Sequence, residues 1–321
     1  MTTMKDVAIE ANVSLGSVSN VINGREVKEE TYRRVMDAIK KLNYEKNDLA
    51  SGFKNNKTNT IGLIIPTVWH PFFSEMAFQI EQTLQNKGYK MLLCNSDGNE
   101  ENEIKYIQML RKNMIDGIIA ISYSDIEVYI NSNLPFVSID RKFDKDINFV
   151  ASENYEGGVL AAKTLVKKGC KKLLYIGSHN KFKNATMDRK RGFEDFCKKN
   201  NIEYYSIDML EPYDCIEKEI LAMFKENQDI DGIFTINDFV ALDVIEILKK
   251  IDKNILEDYQ VIGFDGIKIS GERGYLVSTI VQDVKKIAEN SVDILLKNIE
   301  DENYNASTYV EVRFEEGGST K

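Results

Sequence analysis

The stretch "MKDVAIEANVSLGSVSNVING", residues 4–24, decides how the whole chain is read. Met4, Val7, Ala8 and Ala11 recur at three-and-four spacing, which gives a short helix one apolar face. "NVS" interrupts it: Asn12 tolerates the left-handed conformation and Ser14 is a natural N-cap. "LGSVSNVI" resumes with Val18, Val21 and Ile22 inward, and "NGRE" breaks it. "EETYRRVMDAIKKLNY", 29–44, predicts a third helix with Tyr32, Val35, Met36, Ile39 and Leu42 as its apolar stripe. Two short helices joined by a tight turn, then a third, make the helix-turn-helix plan, whose second helix enters the DNA major groove. Spacing alone leaves a purely structural three-helix bundle equally open.

Beyond Thr60 the rhythm changes. Apolar strands alternate with amphipathic helices: "TIGLIIP" then 72–87, "YKMLLCNS" then 100–113, "DGIIAIS", "LPFVSID", and "FVASEN" then 155–168. "KKLLYIG" precedes 187–200, "EYYSIDML" 214–227, "DGIFTIN" 238–250; "YQVIGFD" follows, then "STIVQ" before 284–299, and a last strand "TYVEVRF". Such alternation predicts parallel sheets covered on both faces. The units are too many for one sheet, so two lobes are expected, with ligands beyond the carboxyl ends of the strands.

The bulk numbers agree. A chain of 321 residues exceeds one ordinary domain, and 43% hydrophobic residues sustain sizeable cores. No run approaches the roughly 18 apolar residues of a membrane helix, and the acid-bearing start is no secretory signal. A cytoplasmic protein with no membrane partner is expected. Cys94, Cys170, Cys197 and Cys215 are scattered with no CxxC and read as reduced structural thiols. The net charge of −9 is unevenly divided. Residues 1–60 hold ten Lys/Arg against eight Asp/Glu, a net of +2; the remainder holds 32 against 43, a net of −11. A weakly positive head on an acidic body suits DNA at one end only.

Residues 4–24 resemble the head of the lactose-repressor (LacI/GalR) family of bacterial transcription regulators, whose signature runs roughly K-D-V-A-x-x-A-G-V-S-x-x-T-V-S-x-V-L-N-G. Asn12 for Gly, Ser17 for Thr and Ile22 for Leu are mild departures. The body resembles the family too. The resemblance implies an α/β protein: an N-terminal helix-turn-helix three-helix head plus hinge helix, then a two-lobe periplasmic-binding-protein-like body with parallel sheets. The expected limits are 1–46 for the head, 47–60 for the hinge and linker, and 61–321 for the effector-binding and dimerisation body. Its N-lobe takes about 61–156 plus 284–300, its C-lobe about 157–281 plus 304–315. Leu15, Gly16 and Asn20 are then expected to face bases, and Ser14, Ser17, Ser19 and Asn23 phosphates. Asn20 matches adenine N6 and N7, Leu15 offers only a methyl contact, Gly16 offers no side chain, and Arg25 reaches a base or a phosphate. Direct readout should be weaker than where these positions carry long polar side chains.

"NDLASGFKNNK", 47–57, falls where the family has its hinge helix. A helix over 47–53 is too short to stand alone, and Gly52 costs about 1 kcal/mol relative to Ala. It is expected to fold only on the operator, against its dimer mate. By register from "TIG" at 60–62, Phe53 takes the place of the family's leucine wedge between the central base pairs, with Lys54 and Lys57 on phosphates. The family's Pro near Lys46 and Arg at Ser51 are missing. A linker with a stray aromatic is the plainer alternative.

The family's bodies resemble periplasmic sugar-binding proteins. A sugar ring needs aromatic faces for its C–H surface and charged hydrogen-bonding groups for its hydroxyls. Strand ends supply both: "HPFF" gives His70, Phe72 and Phe73; "IDR" gives Asp140 and Arg141; "RKRGF" gives Arg189. "TIND" gives Asn237 with Asp238, "GFDG" gives Phe264 and Asp265, and "TIVQ" gives Gln282. Singly these read as core rings, a surface ion pair worth about 0–1 kcal/mol, or a turn. Together they fall where the cleft should be. They also resemble the ligand set of the ribose-binding branch, which has Asn in place of His70. That implies ribose or a similar small aldose, with another sugar left open by His70. Trp69 is either a cleft-rim residue or a surface aromatic. "GC" at 169–170 replaces the family's "GH", and "YLVST" at 275–279 replaces Pro-Pro-Leu-Thr-Thr.

The expected protein is a homodimeric, allosteric, sugar-responsive repressor on a pseudo-palindromic operator, because two heads reading two half-sites require a dimer. A rival is a family member sensing a purine or a phosphocarrier co-repressor. A transport-type binding protein conflicts with the DNA-reading head. An enzyme lacks candidates: there is no G-x-S-x-G, P-loop or G-x-G-x-x-G. "SDGNEENE", 96–103, lacks the glycine and glutamate spacing of a calcium loop and reads as an acidic first helical turn. His70 and His179 have no partners at metal spacing, so neither metal nor cofactor is expected. "EEGGSTK", 315–321, carries no leucine heptad and no extra tetramer-forming helix is expected.

Overall fold

The computed structural model describes residues 2–44, 57–130, 134–143, 147–212, 215–270 and 274–321. The chain divides into two compact units, Met1–Thr58 and Asn59–Lys321. In the first, α1 (Met4–Ala11) opens on a capping box in which Asp6 N–H donates to Thr3 Oγ1 and Thr3 N–H to Asp6 Oδ2. Asn12 closes it at φ 48°, where the family has Gly, and its N–H returns to the α1 carbonyls. Ser14 Oγ then accepts Ser17 N–H at 3.1 Å and caps α2 (Leu15–Ile22). With α3 (Glu29–Lys41) these helices bury Val7, Ala8, Ala11, Val18, Val21, Val35 and Ala38. The stripe on α3 is narrower than its sequence suggests. Tyr32 and Met36 are exposed, and Ala38 takes the inward place beside Val35, Ile39 and Leu42. A three-helix core this small has room for a methyl group there.

The second unit holds two six-stranded sheets. The first contains β1 (Thr60–Ile65), β2 (Lys90–Asn95), β3 (Gly117–Ile121), β4 (Phe136–Ile139), β5 (Asn148–Ser152) and β11 (Ser307–Val310), ordered β11-β5-β4-β3-β1-β2 and parallel throughout. The second contains β6 (Lys172–His179), β7 (Glu203–Leu210), β8 (Gly232–Thr235), β9 (Gln260–Asp265), β10 (Thr279–Gln282) and β12 (Val312–Glu315), ordered β12-β10-β9-β8-β6-β7. Only β12 runs antiparallel to its neighbour. Continuous apolar runs such as "IGLII" in β1 are buried because helices cover both faces. The first lobe is covered by α4 (Pro71–Asn86), α5 (Glu100–Lys112) and α10 (Val284–Glu300), the second by α6 (Asn154–Lys167), α7 (Asp188–Lys199), α8 (Ile216–Glu226) and α9 (Asp238–Lys249).

One expectation is corrected here. "TYVEVRF" is two strands rather than one: Ser307–Val310 pairs with β5 in the first lobe and Val312–Glu315 with β10 in the second. Residues 304–315 therefore do not belong wholly to the second lobe. The chain crosses between lobes at 152–154, 282–284 and 310–312, and the crossings are tied together. Ser152 Oγ donates to Gln282 Oε1 at 2.6 Å, and Glu153 N–H to Val310 O at 2.9 Å.

Two of the departures from the family pattern lie in the second lobe. Cys170 is buried, with Gln260 Nε2 donating to its Sγ at 3.3 Å, and burial pushes the thiol up to about 12. In "YLVST", Val277 and Ser278 are buried and Ser278 N–H donates to Ser319 Oγ, which fastens the 316–321 segment to the lobe.

Candidate functional site

A cavity of about 320 Å³ lies at the carboxyl ends of the strands, between the two sheets of the body. His70 enters it as N-cap of α4, its Nδ1 accepting Phe72 N–H at 3.3 Å, with Pro71 at the first helical position. Its ring packs against Phe73 at 5.3 Å and edge-on to Phe239 at 4.8 Å. Burial first, then the charge of Arg189, lowers its pKa to about 4, so His70 is neutral at physiological pH. Phe72 and Phe73 line the same wall, although Phe72 also belongs to the first-lobe core.

Arg189 is the centre of the site. It is buried in the first turn of α7, where Nε donates to Asn154 Oδ1 at 2.7 Å and Nη1 to Ile236 O at 2.6 Å. Nη1 also lies 3.5 Å from Asp265 Oδ1. Asp265 ends β9 at φ 111° and accepts Gln282 Nε2 at 2.8 Å. Asp140 follows the end of β4 at φ 60° and is buried in the same cavity. Burial raises both carboxyls to about 6 despite the opposing pull of Arg189. Asn237 caps α9, its Oδ1 accepting Val240 N–H at 2.9 Å.

His70, Phe72, Phe73, Asp140, Arg189, Asn237, Asp265 and Gln282 thus meet around one space. Two candidates do not. Phe264 is fully buried and lies beneath the Arg189 guanidinium, 3.6 Å from its Cζ, so it supports the site from behind. Arg141 lines a neighbouring cavity instead, while Asp140 before it lines this one. Trp69 is 90% exposed beside His70 and does not line this cavity.

The cavity also holds groups that the pattern at strand ends missed, among them Glu103, Tyr123, Ser124, Ser178 and Glu211. Glu103 accepts hydrogen bonds from Ser122 Oγ and Ser96 Oγ, and burial raises its pKa. A signal existed for it: Glu103 shares a helix face with Ile107 and Leu110, which are buried. No group of three or more His, Cys, Asp or Glu among the described residues is arranged to hold a metal ion.

In the head, Leu15, Gly16, Asn23 and Arg25 are exposed, while Ser17, Ser19 and Asn20 are half-buried on α2. Ser14 and Ser17 hydroxyls bond each other at 2.9 Å, and Asn23 Nδ2 donates to Ser19 Oγ. A Cβ on Gly16 would meet only Ser14 Oγ, at 3.7 Å. Phe53 and Lys54 lie outside the described residues.

A helix-turn-helix head on a two-lobed body with a polar cavity is the plan of a ligand-responsive DNA-binding regulator. Residues 3–47 match the family model for bacterial regulatory proteins of the lacI family, and residues 58–307 that for periplasmic binding proteins and the sugar-binding domain of the LacI family. The chain is 33% identical over 302 residues to the ribose operon repressor of Halalkalibacterium halodurans, covering 94% of this chain and 91% of that one. It is 34% identical over 300 residues to the sucrose operon repressor of Streptococcus mutans, covering 92% of each. Its fold is similar to a LacI transcriptional regulator from Alkaliphilus metalliredigens complexed with D-xylulofuranose, with TM-score 0.69, 33% identity, and 82% of this chain and 99% of that one covered. The chain belongs to the LacI family. It is a DNA-binding transcriptional repressor with a sugar-binding body, not an enzyme. No helix among the described residues is long and apolar enough to cross a membrane.

Proposed function

We propose that the effector is a small unphosphorylated aldose, ribose or a close pentose, and that the repressor acts as a homodimer released from a pseudo-palindromic operator when the sugar binds. The observation that carries the effector reading is the joined set Arg189–Asp265–Gln282 with Asp140 in the same cavity. Pre-oriented charged donors and acceptors beside Phe72 and Phe73 suit vicinal hydroxyls on a ring with apolar faces. At about 320 Å³ the cavity is at the small end of ligand sites, which favours a monosaccharide over a disaccharide. Glu103, Asp140, Glu211 and Asp265 face it against Arg189, a balance that repels sugar phosphates. The ribose repressor and the xylulofuranose complex among the relatives support a five-carbon sugar.

At the operator, Leu15, Gly16 and Asn20 face bases, Ser14, Ser17, Ser19 and Asn23 take phosphates, Arg25 reaches a base or a phosphate, and Phe53 enters the central minor groove with Lys54 on a phosphate. Calorimetric titration with ribose, other pentoses, hexoses, sucrose and purines, followed in parallel by Trp69 fluorescence, tests the effector. Ribose or another pentose should bind best; binding of purines alone, or of no sugar, would overturn the reading. Phe53→Ala should abolish operator bending while leaving sugar affinity intact, and unchanged operator affinity would remove Phe53 from the interface.

A further inference from the structure

A second cavity, of about 550 Å³, adjoins the first through a single peptide: Asp140 lines one and Arg141 the other. Its walls are aromatic and cationic. The Arg141 guanidinium, nearly buried, sits 4.5 Å from the Phe143 ring centroid and 5.2 Å from that of Phe182, and donates to Ser124 O. Tyr309 is 55% exposed and meets Phe149 edge-on at 5.6 Å, leaving a ring face available. Lys142 and Lys183 are exposed at the same cavity. Two acids, Glu127 and Asp188, also face it, the latter paired with Arg191 at 3.2 Å. Cations therefore outnumber acids, the reverse of the sugar cavity.

We propose that the juxtaposition of Arg141, Lys183, Phe182 and Tyr309 is a second ligand site, for a planar aromatic ring carrying a phosphate, such as a nucleoside monophosphate. The available face of Tyr309 stacks on a ring of any substitution, with Phe182 and Arg141 at its edge, and the lysines and arginine take the anion. The volume exceeds what a ring with a directly attached anion needs, which favours a ring, a spacer and a phosphate. The site spans both lobes: Arg141, Phe149 and Tyr309 belong to the first and Phe182–Asp188 to the second, where Ala185 N–H donates to Asp140 O at 2.7 Å. A ligand bridging the lobes beside a peptide shared with the sugar cavity couples the two sites, each ligand changing the other's affinity by the same factor.

The test is calorimetry on the full chain with AMP, with adenosine as the uncharged control and ribose 5-phosphate as the control without a ring. AMP should bind one site per chain, with both controls at least about tenfold weaker. Lys183→Glu and Tyr309→Ala, both at surface positions outside the sugar cavity, should each weaken AMP at least about tenfold and leave sugar binding in place. No AMP binding at millimolar concentration, equal binding of either control, or an affinity unmoved by both variants would overturn the proposal.

Discussion

Asp238 is fully buried at the start of α9, one residue after Asn237, with Oδ2 accepting Ile267 N–H at 2.7 Å. Burial first, and the nearby Asp265 second, raise its pKa to about 8 from the usual 3.8. Between those values the folded chain holds a proton that the unfolded chain has released. Stability therefore falls as pH rises through that window, by at most about 1.4 kcal/mol per pH unit for one group. Asp238→Asn keeps the acceptor and removes the titration. Urea unfolding should show the wild type losing stability relative to the variant between pH 5 and pH 8 and no further above that; parallel profiles would show that Asp238 is ionised in the fold. Arg189 behaves in the opposite sense. Arg189→Met leaves Asp140 and Asp265 without their cation, which costs about 3 kcal/mol at pH 7.5. The cost should shrink at pH 5, where both acids take protons, and sugar binding should be lost at either pH. Single residues of this kind were legible where strand ends carry Asp, Arg or Asn. Glu103 was passed over although it shares a helix face with Ile107 and Leu110, because an acid in a helix's first turn looks like a capping charge. Arg141 follows Asp140 directly, and consecutive side chains at a strand end point to opposite sides, so the two line different cavities.

At the scale of elements, α6 and α7 cross closely enough to position the site. A Cβ on Gly158 would lie 1.9 Å from Arg189 O, and one on Gly192 2.0 Å from Tyr155 O. The contact is backbone against helix, so nothing flexible can yield. It brings Asn154 at the start of α6 onto Arg189 at the start of α7. Gly158→Ala must push the helices apart. It should destabilise the protein by about 1–3 kcal/mol and weaken the sugar by at least about tenfold, as read by urea unfolding and calorimetry. Loss of stability with unchanged affinity would separate the crossing from the site. The helices and most strands were readable from the period of their apolar residues. The break at Glu311 was not, because "TYVEVRF" alternates smoothly across the point where the chain leaves one sheet for the other.

For the molecule as a whole, charge divides the labour that the fold then carries out. The first 60 residues are net positive by two, and the remainder is net negative by eleven. DNA draws on the first part and is repelled by the second, whereas an uncharged sugar is indifferent to both. Operator affinity should therefore fall steeply with salt. A dimer neutralising about six to ten phosphates has a log–log slope of about −5 to −9. Sugar affinity over the same range should stay within about twofold, because the charges in the cavity are buried, paired with one another and little screened. Fluorescence anisotropy on operator DNA and calorimetry with the sugar, each from low to moderate salt, measure the two slopes on one preparation. A shallow operator slope would mean that the few head cations do not face phosphates and that binding rests on base and minor-groove contacts. A steep sugar slope would mean that the effector is charged, against the acid excess around Arg189.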